Sequence, residues 1–118
     1  MLPHPLVTVV ETPDFASSAG RLLTGEERER LILYLAMNPA AGVVLPGTGG
    51  VRKIRWRLGG RGKRGGARVI YFFHNLEMPL FALDIFAKNE RADISQADRN
   101  ELRNLTRLLV TTYRRRKP

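Results

Sequence analysis

The chain has 118 residues, 43% of them apolar, and carries 20 lysines and arginines against 11 acids, a formal charge of +9 with a pI near 11. That length and apolar content fit one domain with a real core, and the basic excess favours polyanionic partners. The absence of cysteine excludes disulfides, thiol catalysis and cysteine zinc sites; two histidines, His4 and His74, are too few for a multi-histidine metal centre; and no apolar run approaches the roughly 20 residues of a membrane span.

Met1 to Pro5 has neither the charged region nor the apolar stretch of a secretion signal, so a cytoplasmic protein with no membrane partner is expected. Leu6 to Val10 is mostly β-branched and predicts a short strand. From Pro13 onward, Phe15, Ala16, Ala19, Leu22 and Leu23 recur at helical spacing. Thr24 followed by Glu27 makes a capping-box pattern, and the helix behind it carries Leu31, Ile32 and Leu35 on one face. Asn38-Pro39 ends that helix, because a residue before proline is pushed out of the α region. Residues 39 to 50, rich in proline and glycine, read as loop.

Lys53 to Leu58 alternates strictly, with Ile54, Trp56 and Leu58 on one side and Lys53, Arg55 and Arg57 on the other. Gly59 to Gly66 is a glycine-rich basic turn without the spacing of a Walker motif, and it reads as a basic flap for a phosphate backbone. Ala67 to His74 and Leu80 to Lys88 predict two further strands, giving an antiparallel meander. Ser95 is a candidate N-cap for a last helix with Leu102, Leu105 and Leu109 on one face. The expected fold class is therefore α+β: a small antiparallel sheet, one N-terminal strand plus a three-strand meander, with two N-terminal helices and one C-terminal helix. The helices are expected on one sheet face, leaving the other open. Residues 1 to 118 form a single domain, with a basic tail at 114 to 118 read as an electrostatic arm.

The positive charge is localised. No acid lies between Glu29 and Glu77, and that gap holds Arg30, Arg52, Lys53, Arg55, Arg57, Arg61, Lys63, Arg64 and Arg68, whose nine charges equal the whole excess. Like charges along one strand face cost stability unless an anion sits there. Arg68 opens the next strand and Lys88 closes the third, so in a meander these ends can converge with Lys53 and Arg55. A solvated, salt-screened strand face is the bland alternative, but such faces normally mix both signs. Trp56, by its parity with Ile54 and Leu58, reads as core. Tyr71, Phe72 and Phe73 also read as core, with one ring open to base stacking. Asp84 is a charge within an apolar strand.

Three stretches, PGTGGVRKIRW (46 to 56), GKRGGARVIYFF (62 to 73) and FAKNERADIS (86 to 95), resemble the HigB-type branch of the RelE/ParE superfamily, toxins of type II toxin–antitoxin systems. The resemblance spans roughly residues 6 to 110. It implies a microbial-ribonuclease-like fold and an mRNA interferase that enters the ribosomal A site and cuts translated message without metal or cofactor. In that chemistry the ribose 2′-hydroxyl attacks its own 3′-phosphate. Carried over by position, Lys53 is the base candidate, Arg55 and Arg68 are phosphate clamps, and Lys88 is a further phosphate contact. His74 or Tyr71 is the candidate proton donor, and Arg52, Arg57, Arg61, Lys63 and Arg64 are candidate RNA contacts. Asn89 and Glu90 stand where many relatives have an arginine, and Tyr113 lies near the position of a terminal catalytic tyrosine. The implied partners are a cognate antitoxin of helix-turn-helix type, which also carries the toxin to operator DNA, and the ribosome with its mRNA. The alternative is a non-catalytic basic module that binds nucleic acid or the ribosome, or a ParE-like gyrase inhibitor.

Overall fold

The computed structural model describes residues 4–59, 65–90 and 94–116. The elements run β1 (Val9–Glu11), α1 (Pro13–Leu22), α2 (Gly25–Met37), β2 (Val43–Val44), β3 (Val51–Trp56), β4 (Ala67–Phe72), β5 (Leu80–Ala87) and α3 (Gln96–Arg116). They form one five-stranded sheet in the order β1-β5-β4-β3-β2. The meander β3-β4-β5 is antiparallel as expected, but β1 joins β5 in parallel, so the sheet is mixed. The two-residue strand β2 adds an edge within the segment read as loop.

Local chemistry sets the boundaries. Thr12 caps α1 by accepting from the Phe15 N–H, and its hydroxyl reaches the Ala82 and Leu83 carbonyls, so the cap also pins α1 to β5. Thr24 and Glu27 form the reciprocal capping box of α2. The second carboxylate oxygen of Glu27 accepts from the Gly59 N–H, holding the chain just beyond β3 against the helix start. α3 opens on the equivalent exchange between Ser95 and Asp98.

Two clusters of apolar side chains lie on opposite faces of the sheet. Phe15, Leu31 and Leu35 from α1 and α2 pack with Val69, Tyr71 and Ile85, and Ile54, Trp56 and Leu58 join them. On the other face, Leu102, Leu105 and Leu109 of α3 pack on Ile70, Phe72, Phe81 and Leu83. The expectation of an open second face is thus corrected. Every residue of β4 is buried, which requires cover on both sides, and the leucine stripe of α3 supplies it. Residues 114 to 116 of the expected C-terminal arm continue α3, and residues 117 and 118 lie outside the described residues. Among the described residues no helix is long and apolar enough to cross a membrane.

α3 is locked to the loop before β3 by threonines. The Thr48 hydroxyl donates to the Leu45 carbonyl and accepts from the Val51 N–H, while the Thr106 hydroxyl donates to the Thr48 carbonyl. Thr48 is fully buried. Thr48→Ala therefore strands two buried backbone groups and lowers stability by about 1–3 kcal/mol. Urea unfolding should show a lower midpoint at unchanged slope, and Thr48→Ser should restore it; an unaltered midpoint in the alanine variant rules out this lock.

Candidate nucleic-acid interface

The parity of β3 divides its residues between the two sheet faces. Val51 belongs to the α3 side, whereas Ile54 and Trp56 pack toward α1 and α2. Lys53 and Arg55 therefore lie on the α3 side, Lys53 half-buried and Arg55 exposed. On the neighbouring strand, Arg68 shares the face of Ile70 and Phe72 and stands directly opposite Arg55 in the ladder. Lys53 is paired with Ile70, one row from this couple.

Arg68 is 9% exposed, and its guanidinium donates to the Gly65 carbonyl at 2.7 Å and the Ala67 carbonyl at 3.2 Å. Lys88, directly after β5, donates its backbone N–H to the Gly66 carbonyl. Its aliphatic stem lies against Gly65, where a Cβ would come within 2.7 Å of Lys88 Cδ. Gly65 has a φ of +80°, a left-handed conformation that also favours glycine. Arg68 and Lys88 thus meet over one glycine. Phe86, across the ladder from Arg68 and 5% exposed, provides an apolar wall.

Four of the expected site residues, Lys53, Arg55, Arg68 and Lys88, come together at this end of the sheet. Arg55, Arg68 and Lys88 take no part in the Arg21–Glu90 or Arg28–Glu11 ion pair. Such a constellation can grip a phosphate: arginine offers two parallel donors to its oxygens, and the fixed cations need no reorganisation as charge develops there. Arg57 is exposed immediately beyond β3, with its Cα beside Gly66, and extends the basic rim. Arg61, Lys63 and Arg64 lie outside the described residues.

Other assignments separate from the site. Arg52 faces the opposite side from Lys53, and its guanidinium donates to the Ala40 and Gly42 carbonyls, where it braces a loop. The candidate proton donors also move away. Tyr71 is fully buried on the α1–α2 side, and its hydroxyl oxygen accepts from the Gly42 N–H. His74 is exposed and stacks on Phe72, six residues along the chain from Arg68, a separation of roughly 20 Å in extended chain. Tyr113 packs edge-on against Phe81 near the opposite end of β5 from Lys88. Trp56 is core, tilted against Tyr34 at 5.4 Å. Among the described residues no group of three His, Cys, Asp or Glu side chains is placed to hold a metal ion.

Two supporting residues were not anticipated. Gly65 carries no chemistry of its own, and only its contacts reveal it as the meeting point. Glu90 accepts from the Ala87 N–H and pairs with Arg21 of α1, so it clamps the turn that presents Lys88. Its place two residues after Lys88 was the available signal.

Residues 45–116 match the family model described as the RelE toxin of the RelE/RelB toxin–antitoxin system. The matched stretch runs from the loop before β3 to the last turn of α3 and includes all four clustered cations.

Burial raises the Tyr71 hydroxyl above its ordinary pKa of 10.0, opposed by the Gly42 hydrogen bond and the nearby Arg52 charge. A folded-state pKa above the unfolded one gives stability that is complete below pH 10 and lost as pH rises through the folded value. Tyr71→Phe should cost about 1–3 kcal/mol at neutral pH by leaving the Gly42 N–H without its partner. The gap between parent and variant should narrow above pH 10 in urea titrations; a gap that widens there contradicts the assignment.

Proposed function

This chain belongs to the RelE toxin family of toxin–antitoxin systems, and from that premise we propose that it is a metal-independent endoribonuclease cutting mRNA on the ribosome. The observation that carries the reading is the Arg55–Arg68 cross-strand pair, joined by Lys53 and, over Gly65, by Lys88. A row of like charges at the end of a sheet is useful when a polyanion occupies it.

The residues divide the reaction as follows. Arg68, oriented by the Gly65 and Ala67 carbonyls, and Arg55 bind the non-bridging oxygens of the scissile phosphate. Lys53 takes the proton of the 2′-hydroxyl, whose oxygen forms a bond to phosphorus as the bond to the 5′-oxygen breaks. The products are a 2′,3′-cyclic phosphate and a 5′-hydroxyl. Lys88 stabilises the negative charge that grows on the equatorial oxygens. Tyr71 and His74 stand away from this reaction, so the proton for the departing 5′-oxygen comes from another group. Lys53, Arg55, Arg57 and the wider basic rim also supply the salt-dependent attraction to RNA. The cognate antitoxin, of helix-turn-helix type in this reading, restrains the free toxin in the cytoplasm and brings it to operator DNA.

Arg68→Lys keeps a cation but loses the planar fork, and Arg55→Ala removes a clamp at an exposed position. Each should slow cleavage of translated message by about 10²- to 10³-fold, the usual loss when one donor to a developing oxyanion is removed. Primer extension on messages from induced cells, beside circular dichroism of the purified variants, reads both effects. Growth arrest with intact message in cells expressing the parent would overturn the nuclease reading in favour of gyrase inhibition or simple nucleic-acid binding.

A further inference from the structure

Beside the cation row, between the start of α3 and β5, lies a cavity of about 540 Å³. Ile70, Leu83 and Leu105 contribute its apolar floor, and Asp14, Asp84, Asp98 and Glu101 bring carboxylates to it. Its position relative to the cations follows from strand register. Ile70 is paired with Lys53 on one side and Asp84 on the other, and Arg55, Arg68 and Phe86 form the next row on the same face. Rows on one face are about 6.8 Å apart, two residues at about 3.4 Å each. That spacing is comparable to the span from a phosphate to the base of its own nucleotide.

We infer that this cavity is a nucleobase pocket, holding the base next to the scissile phosphate, and that Glu101 reads it. The inference rests on the ribonuclease reading above and supplies its sequence preference. A base turned out of its stack needs an apolar surface against its ring and polar groups along its Watson–Crick edge. The floor provides the first and the carboxylates the second. Carboxylates beside a polyanion weaken binding in general, so their use is to select a base that donates. Guanine alone presents two adjacent N–H donors on that edge, matching the two oxygens of one carboxylate. Uracil presents one donor between two carbonyls, which a carboxylate repels. Of the four acids, Asp14 sits in the first turn of α1 at the positive end of that helix, Asp98 accepts from the Ser95 N–H as the α3 cap, and Asp84 accepts from the Ile85 N–H beside the β5 bulge. Glu101, one turn further along α3, is exposed and forms no ion pair among the described residues.

The test is to map 5′-hydroxyl ends across the messages of cells expressing the parent, Glu101→Gln and Glu101→Lys. The parent should cut with guanine enriched at one position flanking the cleaved bond. Glu101→Gln should reduce that enrichment about tenfold, in line with loss of a bidentate base contact, and Glu101→Lys should shift it toward bases that accept. Each distribution is normalised to that protein's own total cleavage, so a change in yield does not enter the comparison. Parental cleavage with the same base distribution in all three proteins overturns the pocket and leaves the nuclease reading intact. So does a variant that keeps the distribution but loses co-purification with the antitoxin, which would make the cavity a protein interface. Absence of cleavage by the parent defeats the nuclease reading itself, and the pocket with it.

Discussion

Two arginines face each other across the β3–β4 ladder, and much of the structure exists to tolerate that. A like-charged pair directly opposite in a sheet costs on the order of 0.2–1 kcal/mol relative to a neutral one. The chain offsets this without neutralising it. Arg68 is folded back onto two backbone carbonyls, and Arg55 stays exposed where water screens it. Carbonyl dipoles satisfy the donors of a guanidinium while leaving its net charge in place. A carboxylate in the same position would have cancelled the field that an RNA phosphate is proposed to meet.

Three acids instead hold the backbone around the site. Glu27 joins the α2 cap to Gly59, Glu90 ties the turn after β5 to α1, and Glu11 pairs with Arg28 beside the β1 edge. Two of these clamps act on the chain ends that flank the cation cluster, one just after β3 and one just after β5. The acid-free stretch in the sequence and the clamps in the structure are therefore two sides of one arrangement. Cations are gathered on short-range geometry, and anions secure the frame around them.

Much of this was legible in the chain. The α2 capping box, the alternation of β3 and the meander depend on neighbours a few residues apart, and sequence spacing reports such contacts directly. The convergence of Lys53, Arg55, Arg68 and Lys88 followed from parity and strand order. What escaped the reading is non-local. The parallel β1–β5 pair joins residues some 70 positions apart, and nothing in Val9 to Glu11 specifies its direction. The cover over the second face was visible in principle, since the unbroken burial of β4 corresponds to a run, Val69 to Phe73, with no polar alternation. Arg52 and Tyr71 show parity neglected: each sits one residue out of phase with a face that matters, and each turns out to brace the loop at Ala40 and Gly42. For His74 the chain offered a residue type and no distance, and extended backbone carries it away from the cluster.

The same geometry limits how the site can be regulated. Arg68 is nearly buried and its carbonyl partners belong to the turn it springs from, so its orientation does not depend on a ligand. Lys88 is held through its own backbone and through Glu90. A site set in this way is preorganised, and preorganised charge acts without a conformational step. Restraint then has to come from outside the constellation. A partner either brings anions to the row, competing with the proposed RNA for the same cations, or adds bulk that keeps the row from its target. The first route scales with salt, because an anionic partner displaces counterions, while the second rests on apolar contact and is nearly indifferent to it. Salt dependence of antitoxin binding therefore separates masking from obstruction.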